Sequence, residues 1–101
     1  MSNMVATLLM RRRTTEHDGA FAEYVIWEIP KALLGSSHNY KYRLAYVVEN
    51  VCVLRYDNEA GKGDHRHFGA DEGPYSFSTP RKLVTDFQQD MARWKHENGH
   101  S

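Results

Sequence analysis

Only the last part of this chain repeats its apolar residues with a helical period. Leu83, Val84, Phe87, Met91 and Trp94 recur at steps that bring them to one face of a helix. Thr79 can cap that helix and Pro80 can occupy its first position, where a missing N–H breaks no bond. Gly99 is a stop signal, so residues 80–98 read as one amphipathic helix. A single helix with one apolar face needs something flat to cover, and the rest of the chain supplies strands.

Residues 5–13 alternate loosely, and residues 20–29 are rich in aromatic and branched side chains. Between them His17, Asp18 and Gly19 form a turn, which is a hairpin signal. Pro30 closes the second strand, and residues 31–39 are a loop rich in glycine, serine and asparagine. The third strand covers 40–48; Glu49 and Asn50 turn tightly into a fourth over 51–57. Residues 66–68 and 75–77 read as short extended pieces separated by Gly69, Asp71, Gly73 and Pro74. The expected fold is therefore α+β in one domain: an antiparallel sheet of four to five strands with a C-terminal amphipathic helix packed on one face. Leu83, Phe87, Met91 and Trp94 should be buried in that contact.

Composition limits the functions open to such a chain. Lysine plus arginine and aspartate plus glutamate number 13 each, so attraction to nucleic acid through net charge is excluded and any polyanion site must be a local patch. The lone Cys52 sits in an apolar run with no CxxC partner, which reads as a buried thiol in a reducing cytosol. Residues 1–10 are too short and too interrupted for a secretion signal, and no apolar run is long enough to span a membrane. The expectation is a cytoplasmic protein.

Chemistry concentrates in residues 56–67. Two glycines, Gly61 and Gly63, flank Lys62, and Asp64, His65, Arg66 and His67 follow. Histidine gives or takes a proton near neutral pH, and lysine and arginine hold phosphate oxygens. In an extended segment His65 and His67 project to the same side, their Cα atoms about 6.5–7 Å apart, a spacing that can straddle one phosphodiester. Arg66 points the other way unless a bulge or turn brings it in, and Asp64 could orient a histidine. The same residues also allow a metal site completed by Asp57 or Asp64, or a solvated loop whose histidines bond only to backbone. Cations beside the pair oppose a divalent ion, and no HExxH or further cysteine is on offer, so neither metal nor other cofactor is expected.

The third strand adds a second group. Alternation puts Tyr40, Tyr42, Leu44 and Tyr46 on one face and Lys41 and Arg43 on the other. The tyrosines read as core or cross-strand pairs. Lys41 and Arg43 read as a phosphate groove or an exposed sheet face, with Lys62 and His38 as further substrate-binding candidates. Arg81 and Lys82 stand at the positive end of the helix dipole, Arg11, Arg12 and Arg13 read as a solvated strand end or a partner-docking site, and His96 and His100 lie in a polar tail.

Residues 21–27 with Glu28, the run Gly35 to Leu44, residues 56–67 and the run Pro74 to Phe77 resemble the TumE-type toxins of prokaryotic toxin–antitoxin pairs. The likeness covers nearly the whole chain, and Gly63, Asp64, His65, Arg66, His67 is its most specific part. The resemblance implies a cytoplasmic toxin neutralised by a protein antitoxin, in a family grouped loosely with RelE-like RNA-cleaving toxins. The usual RelE-like order begins with helices, whereas this chain begins with strands.

Two function classes follow. The first is the toxin of a type II pair, a metal-independent endoribonuclease acting on mRNA, free or on the ribosome. Its catalytic candidates are His65, His67, Arg66 and Asp64, and its substrate-binding candidates are Lys41, Arg43, Lys62 and His38. The second is a non-catalytic module that binds protein or nucleic acid through the same surface.

Overall fold

The computed structural model describes residues 5–99; residues 1–4 and 100–101, His100 among them, lie outside these. Alternating apolar residues pair into a six-stranded antiparallel sheet in chain order: β1 (Thr7–Thr15), β2 (Phe21–Glu28), β3 (Tyr40–Val48), β4 (Val51–Glu59), β5 (Gly63–Phe68) and β6 (Asp71–Pro74). A helix, α1 (Pro80–Glu97), follows them. The α+β class and the antiparallel sheet agree with the sequence; the count of four to five strands does not. The difference is β6, where Asp71, Gly73 and Pro74 looked like breakers. They pair with β5 from Phe68 to His65, and a proline is tolerated there because β6 is a sheet edge. Residues 75–77 carry no strand, although the Tyr75 N–H still donates to the Asp64 carbonyl at 2.9 Å.

Local chemistry accounts for the turns. Asp18 accepts from the Ala20 N–H at 3.0 Å and Gly19 adopts φ +88°, closing the first hairpin. Glu49 and Asn50 both have positive φ, 51° and 66°, which matches a two-residue turn to the twist of β3 and β4. The Thr79 hydroxyl accepts from the Lys82 N–H at 3.1 Å, and the helix begins on Pro80 as expected.

The helix covers one face of the sheet only. Ala22, Tyr24 and Ile26 of β2, Tyr42, Leu44 and Tyr46 of β3, and Leu54 and Tyr56 of β4 are buried with Leu83 and Phe87 of the helix. The Phe87 ring meets Tyr24 and Tyr56 edge-on at 5.4 and 5.6 Å, a geometry favoured by the ring quadrupoles. Met91 and Trp94 pack against this core only partly buried. Beyond the helix, residues 75–79 cross the same face, and Phe77 stacks on His38 with centroids 3.9 Å apart.

Because no described element covers the opposite face, the apolar run around Cys52 is not buried throughout. Cys52 is exposed, contrary to the sequence reading, and its thiol reaches only the Leu54 carbonyl. A register shift between Tyr46 and Val47 sets Cys52 opposite Val47, away from the helix. Among the described residues no helix is long and apolar enough to cross a membrane.

One helix carboxylate, Asp86, is bonded both to the segment before the helix and to the helix's own first turn. Asp86 accepts from Tyr75 at 2.6 Å and Lys82 at 2.8 Å. Burial works to raise the Asp86 carboxyl, but the bonds from Lys82 and Tyr75 outweigh it and hold the group below its ordinary value of 3.8. A depressed carboxyl contributes stability that is present above its unfolded pKa and is lost as pH falls through the folded one. Asp86→Asn should therefore lower the melting temperature at pH 7, and the gap to the parent should close as pH drops below 3.8. Thermal melts across pH 2–7 read this directly; a gap that stays constant would refute it.

Candidate functional site

The two-residue period of β5 sends its polar side chains to opposite sides of the sheet. Asp64 and Arg66 pair with Asn58 and Tyr56 of β4 and share their helix-covered side. His65 and His67 pair with Asp57 and Arg55 and face the uncovered side.

On the covered side Asp64 is the centre of a hydrogen-bonded cluster. Its carboxylate accepts from the Ser36 hydroxyl at 2.7 Å, His38 Nε2 at 2.7 Å and the Tyr42 hydroxyl at 2.6 Å. The Tyr40 N–H donates to His38 Nδ1 at 3.2 Å, so the ring proton sits on Nε2 and points at Asp64. Burial first, and the bond to Asp64 second, push the Tyr42 phenol far above its usual range. Beside them the Asn58 amide donates to the Tyr40 carbonyl at 2.7 Å and accepts from the Tyr42 N–H at 3.0 Å. The loop carrying Ser36 and His38 is thereby held against β5. Its backbone approaches so closely that a Cβ on Gly35 would stand 2.9 Å from the Gly63 nitrogen.

Arg66 is also committed to the covered side. Its guanidinium donates to Asp90 at 2.7 and 2.8 Å and to the Tyr56 hydroxyl at 3.0 Å. The bond to Asp90 is the main reason its pKa is raised. No bulge turns it toward His65 and His67, so Arg66 and Asp64 stand apart from the two histidines they were grouped with. Asp64 does orient a histidine, but that histidine is His38.

The uncovered face holds the other candidates. Arg11, Val25, Arg43, Asp57 and His65 form one continuous row across five strands. Arg43 and His65 are two strands apart, about 10 Å between Cα atoms, and Lys41 stands one step further along β3 on the same face. Among the described residues Lys41 and Arg43 make no hydrogen bond or ion pair, and both are exposed. The pairing thus brings His65, His67, Lys41 and Arg43 to one surface.

Arg55 and Glu72, which sequence reasoning missed, stand beside the histidines with Asp57, which it named only as a candidate metal ligand. Arg55 Nη2 lies 3.0 Å from His67 Nε2. A guanidinium only donates, so Nε2 accepts and the ring proton is on Nδ1. Arg55 also pairs with Asp57 at 3.1 Å. Glu72 of β6 places Oε1 3.5 Å from His65 Nδ1 and 3.6 Å from His67 Nε2. His65 Nε2 donates to the Lys62 carbonyl at 2.6 Å, while its Nδ1 is shut from solvent without a hydrogen-bond partner. Alternation in β4 could have flagged Arg55; the pairing of Glu72 depended on the unrecognised β6.

A cleft of about 790 Å³ runs between the Gly35 loop, the Lys62 turn and residues 72–77. Its walls include His38, Lys62, Asp64 and Phe77. His65, Lys62 and Glu72 line both this cleft and a smaller recess on the uncovered face, so the two surfaces meet at His65. Among the described residues no group of three or more histidine, cysteine, aspartate or glutamate side chains is arranged to hold a metal ion.

The two arginines should separate in experiment. Arg66→Ala removes charge-assisted bonds to a largely buried carboxylate and should cost about 1.5–3 kcal/mol in urea unfolding. Arg43→Ala removes no hydrogen bond or ion pair among the described residues and should stay within about 0.5 kcal/mol of the parent. Equal losses would mean that Arg43 has a structural partner.

With this geometry in view, comparison with known proteins gives one result. No curated protein and no solved structure matches the chain. The profile of the family described as Toxin TumE matches residues 5–95, from before β1 to within the last turn of the helix. The chain belongs to the TumE toxin family.

Proposed function

We propose that this toxin acts in the cytoplasm by cutting RNA without a metal ion, with mRNA as its target, and that a protein antitoxin neutralises it as in a type II pair. The observation that carries the reading is the placement of two adjacent imidazoles, His65 and His67, on an uncovered sheet face with Lys41 and Arg43, which make no ion pair among the described residues. Cleavage needs a base to take the ribose 2′-hydroxyl proton and an acid to protonate the leaving 5′-oxygen. The 2′-oxygen then bonds to phosphorus, the bond to the 5′-oxygen breaks, and the products are a 2′,3′-cyclic phosphate and a 5′-hydroxyl.

His67 suits the base, because the Arg55 guanidinium donates to its Nε2 and so makes that nitrogen the one with a lone pair. A phosphate oxygen would compete for the Arg55 guanidinium and free that lone pair. His65 suits the acid, with Glu72 at 3.5 Å as the counter-ion for a second ring proton. Lys41 and Arg43 would hold flanking phosphates, and Lys62 borders the site from its glycine turn. His38 and Asp64 act as positioning residues, since both ring nitrogens of His38 are already bonded.

One observation favours a non-catalytic binding module instead. His65 Nε2 is occupied by the Lys62 carbonyl and Nδ1 is enclosed, so the Lys62 turn must move before His65 can deliver a proton. Purified toxin incubated with mRNA, with and without ribosomes and with and without a chelator, separates the readings. Cleavage that leaves cyclic phosphate ends and survives chelation is expected. His65→Ala and His67→Ala should each slow it by about 10²-fold or more. RNA that is bound but left intact, or undiminished cleavage by the double substitution, would overturn the catalytic reading.

A further inference from the structure

The outer edge of β1 combines features that neither the core nor the RNA-cutting reading uses. Among the described residues β1 pairs only with β2, leaving the other side of a nine-residue strand, whose register shifts between Leu8 and Met10, unpaired. Such an edge is a template for another strand. The opposite edge, β6, has four residues and ends in Pro74, so it offers far less.

Two features of β1 are independent of its backbone. Leu8 and Leu9 are 42% and 47% exposed, and Leu9 and Met10 line an apolar groove of about 290 Å³ with Ile26, Pro80 and Val84. Immediately after them come Arg11, Arg12 and Arg13, all exposed. Arg11 and Arg12 have no ion pair or hydrogen bond among the described residues, and neither does Arg81 at the groove's rim. Arg13 approaches Glu23 only at 3.9 Å. Cations alone would serve to keep an edge from aggregating, but that role does not call for an apolar groove beside them.

We propose that the β1 edge docks an extended protein segment that is acidic where it meets Arg11–Arg13 and apolar where it meets Leu8–Met10, added antiparallel as a seventh strand. Main-chain bonds would supply affinity, and the acidic-then-apolar order would supply specificity. Pairing with the β1 of a second copy is disfavoured, because β1 carries no acidic residue and a second copy would leave the arginines of both strands uncompensated. RNA would use the arginines but not the leucines, the groove or the unpaired amides. The inference does not depend on how the toxin acts on RNA.

The probe is a blocked fluorescent peptide of three glutamates followed by three β-branched apolar residues. Its binding should slow amide hydrogen exchange within residues 7–15. Three changes should each weaken it at least tenfold: Arg11→Glu combined with Arg12→Glu, lysines in place of the peptide's glutamates, and N-methylation of alternate peptide amides. The last leaves the toxin unaltered and so guards against a misfolded variant. Binding without protection of residues 7–15, or equal binding of the lysine peptide, overturns the proposal. So does failure of the peptide to bind, whether or not an RNA oligonucleotide is held through the same arginines. Protection of residues 7–15 that rises with toxin concentration alone would assign the edge to self-association instead.

Discussion

The register of β5 is the constraint on which the rest of this molecule depends. Shifting a strand by one residue inverts every side chain, and here the shift is blocked from two directions. Asp64 is held by Ser36, His38 and Tyr42, and Arg66 by Asp90 and Tyr56. Those bonds join β5 to a loop, to its neighbour β4, to β3 beyond it and to the helix. His65 and His67 face the uncovered side because Asp64 and Arg66 cannot. The two charged residues that looked like catalytic partners in the sequence instead fix which way the histidines point.

The same constraint divides the tyrosines from the cations. Tyr42, Tyr46 and Tyr56 lie under the helix or the segment before it, and burial is the leading cause that raises each phenol above its usual value. Each also donates to a carboxylate, Asp64, Glu16 or Asp90. These phenols stay protonated as hydrogen-bond donors, which suits them to the core and removes them as bases. Lys41 and Arg43, on alternate residues of the same strand, are left without partners on the other face. In a chain with equal numbers of acidic and basic residues, strand alternation thus sets Lys41 and Arg43 on the face that carries His65 and His67.

Period and turn chemistry were legible in the sequence because they are local. The helix, the two hairpins and the two faces of β3 follow from spacings and from residues such as Gly19 and Thr79. What was not legible depends on partners far along the chain: Asp64 with His38, 26 residues away, and Arg66 with Asp90, 24 residues away. A lone arginine beside two histidines suggests chemistry until a buried carboxylate claims it. β6 escaped because its glycine and proline are admissible only at an edge, and Glu72 escaped with it. Cys52 was misread because an apolar run implies burial on both faces only where both faces are covered, and this sheet has one helix.

An edge-docked strand and the histidine surface would lie on the same sheet but not within reach of each other. The row from Arg11 to His65 crosses four inter-strand steps, about 19 Å at ordinary strand spacing. That exceeds the Debye length of about 8 Å at physiological salt, so acidic side chains at β1 would exert little direct field at His65. Arg43 lies closer, two steps from Arg11, about 10 Å. A partner confined to the edge would therefore weaken phosphate capture at Arg43 more than it altered the protonation of the histidines. To shut the whole surface it would need chain beyond the docked strand, crossing β2 and β3 toward Trp27 and Lys41. The edge is then best understood as an anchor, and occlusion would fall to whatever the anchored segment carries with it.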